Sequence, residues 1–185
     1  MLMDAKASTL VVIDLQERLA PAISGVDEVL RRAGQLIEAA RTLDVPVIVT
    51  EQYPKGLGPT VPAIKAALPN DALILSKLSF SAGKDAGFLA AWEKHRANGR
   101  HQIVLCGTET HVCVLQTAAD LKARGAEVFL VTDAAGSRTE ANKNAALSRL
   151  AAMGVQTVTT EMVLFEWLER AGTEQFRAVS KLIKA

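Results

Sequence analysis

The sequence predicts an α/β fold, a doubly wound parallel sheet with helices on both faces. Short runs of Val, Ile and Leu alternate with longer segments in which apolar residues recur near helical spacing. Because the short runs are apolar at consecutive positions, they suit parallel strands that are covered on each side. The repeated strand–helix–strand order indicates that the sheet is wound in both directions.

Each element follows from its local pattern. Six runs predict strands, and they are Thr9–Ile13, Val45–Thr50, Ala72–Ser76, Gln102–Cys106, Glu127–Thr132 and Val155–Val158. Four segments predict helices, and they are Val26–Leu43, Phe88–Ala97, Val112–Arg124 and Glu140–Met153. Gly125 and Gly154 follow two of these helices, where a glycine commonly ends the last turn. Since we find no linker, repeat or low-complexity segment, we expect one domain over residues 1–185.

The composition is that of a soluble globular chain with an aliphatic core. Of its 185 residues, 49% are hydrophobic, 22% are charged and 4% are aromatic. The net charge of +1, without a basic stripe, argues against a nucleic-acid partner. No apolar run approaches the ~18–20 residues of a membrane span, and the N-terminus does not resemble a signal peptide. Two cysteines without metal-site spacing suit a reducing, cytoplasmic setting.

Polar residues follow several predicted strands at the edge where open α/β sheets bind ligands. Asp14 follows the first strand, Lys77 the third, and Cys113 lies six residues after Gly107 at the end of the fourth. Glu51 and Asp133 occupy the same edge. Asp14, Lys77 and Cys113 are the set with a coherent mechanism.

These three residues suit nucleophilic catalysis. Cys113 starts a predicted helix with Thr110 as its N-cap, and a helix N-terminus and a nearby Lys77 both lower the pKa of a thiol. Asp14 can accept the thiol proton and return it to a leaving group. The backbone N–H groups of Glu109 and Cys113 can stabilise an oxyanion. Taken alone, however, a cysteine on a helix is more often a small buried hydrophobe, and an aspartate after a strand is often only a cap.

Longer motifs around these residues resemble a known superfamily. The segments VVIDLQ, ILSKLSF and GTETHVCVLQTAADL resemble the Asp, Lys and Cys motifs of the isochorismatase-like cysteine hydrolases. TEQYPKGLGPT, ETHVCV and VTDAAGSR resemble one branch, the isochorismatase domain-containing proteins. The similarity runs from Thr9 through the C-terminal KLIKA, and the motifs occur in the same order.

The resemblance implies both a fold and an activity. It implies a three-layer αβα sandwich with a six-stranded parallel sheet, and a catalytic triad of Cys113, Asp14 and Lys77. It implies a thioester-type intermediate on a small amide or related carbonyl substrate. It also implies a cis peptide bond before Glu109, which directs the Glu109 N–H to the oxyanion. Members of the superfamily associate as homo-oligomers, dimers or larger, and we expect the same here.

The sequence departs from two branches of the superfamily, and these departures restrict the expected metal content and reaction type. The nicotinamidase branch binds a metal through an Asp-x-His motif after the second strand, where this chain has Glu51-Gln52-Tyr53. The chain has three histidines, none of them near that loop in the sequence, so we expect no metal and no cofactor. Isochorismatases cleave a vinyl ether and can dispense with the cysteine, so a retained Cys113 favours acyl transfer.

Further residues are assigned with alternatives. The segment Gln52–Pro62, QYPKGLGPTVP, cannot be a regular helix and is either a connector or a pocket wall with Tyr53 and Leu57 as contacts. Gln16 and Phe80 are further candidates for substrate contact, or else a loop amide and ordinary core. His111 suits a surface or capping role, since residues two apart on a helix face different sides.

Two rival functions stay open besides amide hydrolysis. The first is a catalytically silent oligomeric scaffold that keeps the fold and binds small molecules, and the second is vinyl-ether hydrolysis by Asp14. A phosphoacceptor or phosphatase site at Asp14 is disfavoured, because such sites usually need paired acidic residues and Leu15-Gln16 follow here.

Overall fold

A six-stranded parallel sheet forms the centre of the computed structural model, which describes residues 1–183. Lys184 and Ala185, the end of the predicted domain, lie outside the described residues. The strands are β1 (Ser8–Ile13), β2 (Val47–Gln52), β3 (Leu73–Lys77), β4 (Gln102–Thr108), β5 (Glu127–Gly136) and β6 (Gln156–Val158). Their order is β3-β2-β1-β4-β5-β6, and every pair is parallel. The predicted six-stranded parallel sheet is confirmed.

Helices cover both faces of the sheet. They are α1 (Val26–Thr42), α2 (Pro54–Leu57), α3 (Pro62–Ala67), α4 (Ala86–Ala97), α5 (Leu115–Ala123), α6 (Glu140–Ala152), α7 (Thr160–Leu168) and α8 (Glu174–Ile183). One apolar layer packs α1, α7 and α8 on one face, and a second packs α4, α5 and α6 on the other. The three-layer arrangement follows from strands such as β1 and β4, whose residues are all buried. No helix within residues 1–183 is long and apolar enough to cross a membrane.

The chain reverses its winding direction between β1 and β4. From β1 the chain continues to β2 and β3 on one side of β1. It then returns to the other side, where β4, β5 and β6 follow in order. Ile13, the last residue of β1, pairs with Thr50 and with Gly107. A crevice at the carboxyl ends of strands β1 and β4 is where such a sheet binds its ligand.

Three local expectations need correction. The predicted helix Val112–Arg124 is a π-helical turn, Thr110–Val114, followed by α5. The segment Gln52–Pro62 is not wholly irregular, because Pro54 starts the single turn of α2 and Pro62 starts α3; proline is favoured at a first helical position. The helix α7 was not predicted, since its sequence TEMVLFEWL is apolar on most sides and lacks an amphipathic pattern.

Candidate active site

Asp14 and Lys77 form a buried ion pair at the carboxyl end of the sheet. Asp14 follows β1 directly, and Lys77 is the last residue of β3. Lys77 Nζ lies 2.8 Å from Asp14 Oδ2, and neither side chain is more than 1% exposed. The Thr50 hydroxyl on β2 donates to the other carboxylate oxygen, Oδ1, at 2.7 Å. Because buried charges are costly unless they are paired and hydrogen-bonded, these contacts keep both groups in one geometry.

Gln52 completes the surroundings of the Lys77 ammonium group. Lys77 Nζ donates to Gln52 Oε1 at 2.7 Å and to the Phe80 carbonyl at 3.1 Å, in addition to Asp14. The Gln52 Nε2 donates in turn to the Leu78 carbonyl at 2.8 Å. The three N–H groups of the ammonium therefore each have an acceptor.

Of the residues of β2, Glu51 was expected at the site from the sequence, whereas Thr50 and Gln52 were missed. Glu51 Oε1 accepts from the backbone N–H and the hydroxyl of Thr60, at 2.7 and 2.8 Å, so it braces the following loop. Residues two apart in a strand point to the same face, which brings Thr50 and Gln52 to the ion pair. Gln52 also pairs in register with Lys77. The missed signal was Gln52, a polar residue two positions beyond the predicted end of the strand.

The backbone of Asp14 is fixed from β4 as well as from β2. Asp14 has a φ of 49°, in the left-handed region that non-glycine residues seldom adopt. Its N–H donates to Thr50 O at 3.1 Å, and its carbonyl accepts from the Thr108 hydroxyl at 2.9 Å. Gly107 lets β4 approach closely, since a Cβ there would lie 2.0 Å from Ile13 O. The neighbouring strands thus hold the aspartate in an uncommon conformation.

Cys113 lies beside the ion pair. It belongs to the π turn after β4, it is 6% exposed, and its thiol is close enough to Asp14 and Lys77 that both side chains act on the thiol pKa. The structure thus brings together the three side chains singled out from the sequence. Cys106, the other cysteine, lies fully buried within β4, in the core position that was predicted.

The thiol pKa differs from the sequence-based expectation. Burial raises the pKa of Cys113 to about 12, the Asp14 charge acts in the same direction, and Lys77 opposes both. Lys77 lowers the thiol pKa as expected, but the expected net lowering was wrong, because burial outweighs the lysine and the sequence does not reveal how deeply the thiol is buried. The cysteine rests as a neutral thiol whose proton can pass to the adjacent carboxylate.

Glu109 connects β4 to the π turn. The peptide bond between Thr108 and Glu109 is cis. The Glu109 carbonyl accepts from the N–H groups of Val112 and Val114, at 3.0 and 3.2 Å, which ties it to the turn that carries the cysteine. Its carboxylate Oε2 lies 3.2 Å from Arg138 Nε, but without hydrogen-bond geometry. The side chain of Glu109 is therefore directed to the loop after β5.

Thr110 and His111 have neighbours other than those expected. Thr110 is the first residue of the π turn rather than its N-cap, and its buried hydroxyl has no hydrogen-bond partner within residues 1–183. His111 is half-buried, and its Nδ1 lies 3.0 Å from the hydroxyl of Ser137. Together with the contact between Arg138 and Glu109, this ties the loop after β5 to the segment before Cys113. Ser137 and Arg138 were missed, since only the β4–β5 pairing places them there.

Gln16 lies beneath the loop that follows β2. It is fully buried, and its amide donates to the carbonyls of Gln52 and Gly58 at 3.0 and 2.7 Å. Its Oε1 accepts from the Gln52 N–H at 2.7 Å. Since both amide hydrogens are used by the backbone, this geometry favours a role in holding the loop over the expected substrate contact.

Tyr53 and Phe80 contact Lys77 through backbone atoms, since the Phe80 carbonyl accepts from Lys77 Nζ and the Tyr53 N–H donates to the Lys77 carbonyl. The two residues are 52% and 55% exposed, so Phe80 is not ordinary core. A cavity of about 260 Å³ lies beside Lys77 and is lined by Pro54, Ser76, Lys77, Leu78, Ser79 and Asp85. Neither Asp14 nor Cys113 lines this cavity.

Within residues 1–183, no three His, Cys, Asp or Glu side chains are placed together as a metal site would need. Glu51 contacts Thr60 and His111 contacts Ser137, not the Asp14–Lys77 pair. The expectation of a metal-free reaction stays a prediction.

Sequence comparison identifies the family. The profile of the isochorismatase domain matches residues 8–162. The chain belongs to the isochorismatase family. Mouse isochorismatase domain-containing protein 2A, one member with a curated sequence, is 37% identical over 182 residues, which cover 97% of this chain and 84% of that protein. The family recognised from the motifs is thereby confirmed.

Solved structures of the isochorismatase family share the fold over almost the whole chain. A protein described as the MAR1 ribonuclease of Caenorhabditis elegans superposes with a TM-score of 0.93 at 36% identity, covering 100% of this chain and 93% of that one. YcaC of Escherichia coli, described as an octameric hydrolase of unknown specificity, superposes with a TM-score of 0.91 at 26% identity, covering 99% and 89%. YcaC of Pseudomonas aeruginosa, with a TM-score of 0.87 at 26% identity and 99% and 96% coverage, carries covalent acrylamide.

Proposed function

We propose that this isochorismatase-family hydrolase is a metal-independent cysteine hydrolase of a small amide or related carbonyl compound. Cys113 is the nucleophile, Asp14 the general acid and base, and Lys77 the group that orients Asp14. One observation carries the proposal: a buried thiol lies beside a buried Asp–Lys ion pair, close enough that both charged groups act on its pKa. The covalent acrylamide in a YcaC relative supports a reactive nucleophile in this fold.

The first half of the reaction acylates the cysteine. Asp14 takes the thiol proton as Sγ attacks the carbonyl carbon, so the S–C bond forms and the carbonyl oxygen becomes an oxyanion. The backbone N–H groups of Glu109 and Cys113 stabilise that oxyanion. The intermediate then collapses, the C–N bond breaks, and Asp14 gives its proton to the leaving amine. A thioester of Cys113 remains.

The second half returns the enzyme to its resting state. Asp14 takes a proton from water as the water oxygen attacks the thioester carbonyl. The C–S bond breaks, the carboxylic acid leaves, and the sulfur regains its proton from Asp14. Lys77, whose N–H groups are all engaged with the protein, holds the carboxylate in one position through both halves.

A screen of primary amides, with ammonia release and intact mass as readouts, tests this proposal. We expect turnover of at least one small amide, a mass increase at Cys113 with a slow substrate or an aldehyde, and no effect of a chelator. Stoichiometric zinc or iron whose removal abolishes turnover would contradict the metal-independent mechanism. No adduct and no turnover would favour the silent scaffold, and vinyl-ether cleavage without an adduct would favour direct acid catalysis by Asp14.

Further properties belong to the same proposal. We expect a single domain, a homo-oligomer like the octameric YcaC of E. coli, and a cytoplasmic setting without a membrane partner. We also expect no nucleic-acid substrate, since the net charge is +1. Because one relative is described as a ribonuclease, RNA belongs in the substrate screen, and RNA cleavage lost in Cys113→Ser would contradict this expectation.

A further inference from the structure

The outer face of α7 combines exposed apolar side chains with carboxylates. Two cavities of about 390 and 510 Å³ lie along this helix and share Phe165 and Glu166, so together they form one groove, the α7 groove. Its exposed apolar residues are Leu2, Met162 and Phe165, at 73%, 50% and 46%. Single exposed hydrophobic residues are ordinary, whereas a contiguous group of them marks an interaction surface.

The segment before β1 forms one wall of the α7 groove and is held there by hydrogen bonds. The Met3 N–H donates to Glu166 Oε2 on α7 at 2.7 Å. Gln102 on β4 holds the same segment, since its Nε2 donates to the Leu2 carbonyl at 3.1 Å and its Oε1 accepts from the Asp4 N–H at 2.8 Å. Leu2 is therefore an exposed apolar side chain on a fixed backbone. A surface that is ordered before binding loses little conformational freedom when a partner docks.

Carboxylates accompany these apolar side chains. The acidic residues that line the α7 groove are Asp4, Glu161, Glu166 and Glu169. None of the four forms an ion pair within residues 1–183, and no Lys or Arg of those residues lines the groove. Lys6 and Arg170 line a separate cavity beside it. The groove is thus locally acidic in a chain whose net charge is +1.

This charge decides which occupant fits the α7 groove. A second copy that presented the same surface would bring like charges together across a two-fold contact, which is unfavourable. The carboxylates would also repel an anionic lipid surface. A partner whose apolar face is flanked by Lys and Arg matches both the apolar and the acidic residues. Met162 adds adaptability, because an unbranched thioether side chain can pack against apolar groups of different shapes.

The dimensions of the α7 groove suit a helical partner. α7 has 9 residues, so the groove runs for roughly 14 Å, the length of a partner helix of about nine residues. Met162 and Phe165 are three residues apart and therefore lie on the same side of α7. An amphipathic helix binds such a groove through apolar residues at helical spacing.

We propose that the α7 groove docks a basic amphipathic helix of a partner protein. The apolar residues of that helix pack against Leu2, Met162 and Phe165, and its Lys and Arg residues pair with the carboxylates of the groove. The groove contains no residue of the proposed catalytic set, so this proposal and the amide hydrolase proposal can fail independently.

Fluorescence anisotropy with two labelled peptides tests the docking on the full chain. Both peptides are ~14 residues long and carry Leu at helical spacing; the remaining positions are Lys in one peptide and Glu in its twin. We expect saturable binding of the Lys peptide that weakens as salt is added, and binding of the Glu peptide that is weaker by roughly 10-fold or more. No saturable binding of the Lys peptide, or equal binding of the two, would overturn the proposal.

Two substitutions with matched controls locate the binding site. Phe165→Ser removes an apolar contact, and Met153→Ser is its control, because Met153 is 37% exposed and lines neither cavity of the groove. Glu169→Lys reverses a charge, and Glu93→Lys on α4 is its control. We expect Phe165→Ser and Glu169→Lys to weaken binding of the Lys peptide by roughly 10-fold or more, and the controls to bind like the wild type. All four side chains are exposed, so the melting temperature and the rate of Cys113 alkylation should stay at wild-type values. Equal losses in variants and controls would show that the peptide binds elsewhere and would overturn the proposal.

Light scattering distinguishes a partner protein from a second copy of this chain. If the α7 groove is open in the assembled protein, Phe165→Ser and Glu169→Lys should leave the mass of the wild-type assembly unchanged. A smaller assembly in either variant, with both controls at the wild-type mass, would show that another copy covers the groove. That result would overturn the proposal even if the Lys peptide bound.

Discussion

The two halves of the active site differ in how completely their polar atoms are paired. In the half from β1–β3, both carboxylate oxygens of Asp14 and all three N–H groups of Lys77 have partners. In the half from β4 and β5, the Thr110 hydroxyl is buried without a hydrogen bond within residues 1–183, and Glu109 Oε2 has only the ion pair with Arg138. An unpaired buried polar group costs about 1–3 kcal/mol.

This difference distinguishes groups that are positioned before a ligand binds from groups that a ligand could pair. The Asp14–Lys77 half is fixed before any ligand arrives, which is what acid–base chemistry requires of its groups. The half next to Cys113 has polar atoms that a bound molecule could pair. Substitutions in the first half should therefore affect stability and turnover together, and substitutions in the second should separate them.

Removing the nucleophile should have the largest effect on turnover and almost none on stability. Cys113→Ser should lower kcat by about 10³-fold or more, because a serine hydroxyl is far less acidic than a thiol. The melting temperature should stay unchanged, since the two side chains are similar in size. Cys106→Ser, a buried cysteine away from Asp14, is the control for thiol loss. Near wild-type turnover in Cys113→Ser would remove the covalent mechanism.

Breaking the ion pair between Asp14 and Lys77 should lower both turnover and stability. Asp14→Asn keeps the shape of the side chain but leaves the Lys77 charge buried without its partner, which costs about 3–5 kcal/mol. Turnover should fall by roughly 10²–10⁴-fold, the usual value of general acid–base catalysis. Urea denaturation and amide turnover measure the two effects. A variant with wild-type stability would show that the ion pair does not organise this half.

The pH dependence of alkylation should distinguish a buried neutral thiol from a preformed thiolate. With a pKa of about 12, the rate at Cys113 in Cys106→Ser should keep rising above pH 9. The folded pKa lies above the ordinary value of 9.0, so this group stabilises the fold fully below pH 9. That contribution is lost as the pH rises toward 12. A plateau in the alkylation rate below pH 8 would show that Lys77 outweighs burial.

The sequence predicts the residues placed by strand ends, but not the features that depend on contacts distant in the sequence. Asp14, Lys77 and Cys113 follow apolar strands or a short loop after one, so the rule that parallel strands end at one edge is enough to bring them together. Thr50 and Gln52 depend on the register of β2 with β3, which is a long-range property. The thiol pKa depends on burial by elements distant in the sequence. A π turn adds one residue to each hydrogen-bonded ring, which the spacing of apolar residues does not reveal.

Substitution of two threonines tests the difference in polar pairing between the two halves most directly, with the smallest expected effects. Thr50 and Thr110 are both buried, but Thr50 donates to Asp14 Oδ1 and Thr110 has no partner. Thr50→Val should cost about 1.5–3 kcal/mol, because it removes a hydrogen bond to a charged group. Thr110→Val should be neutral or slightly stabilising, since an unpaired buried hydroxyl is replaced by a methyl group of similar shape. Urea denaturation of the two variants measures this difference in stability.

Amide kinetics of the same variants measure the effect on substrate binding. If the Thr110 hydroxyl pairs with the substrate, Thr110→Val should raise KM while leaving the free enzyme as stable as the wild type. Equal losses of stability in both variants would show that the two halves are equally well paired.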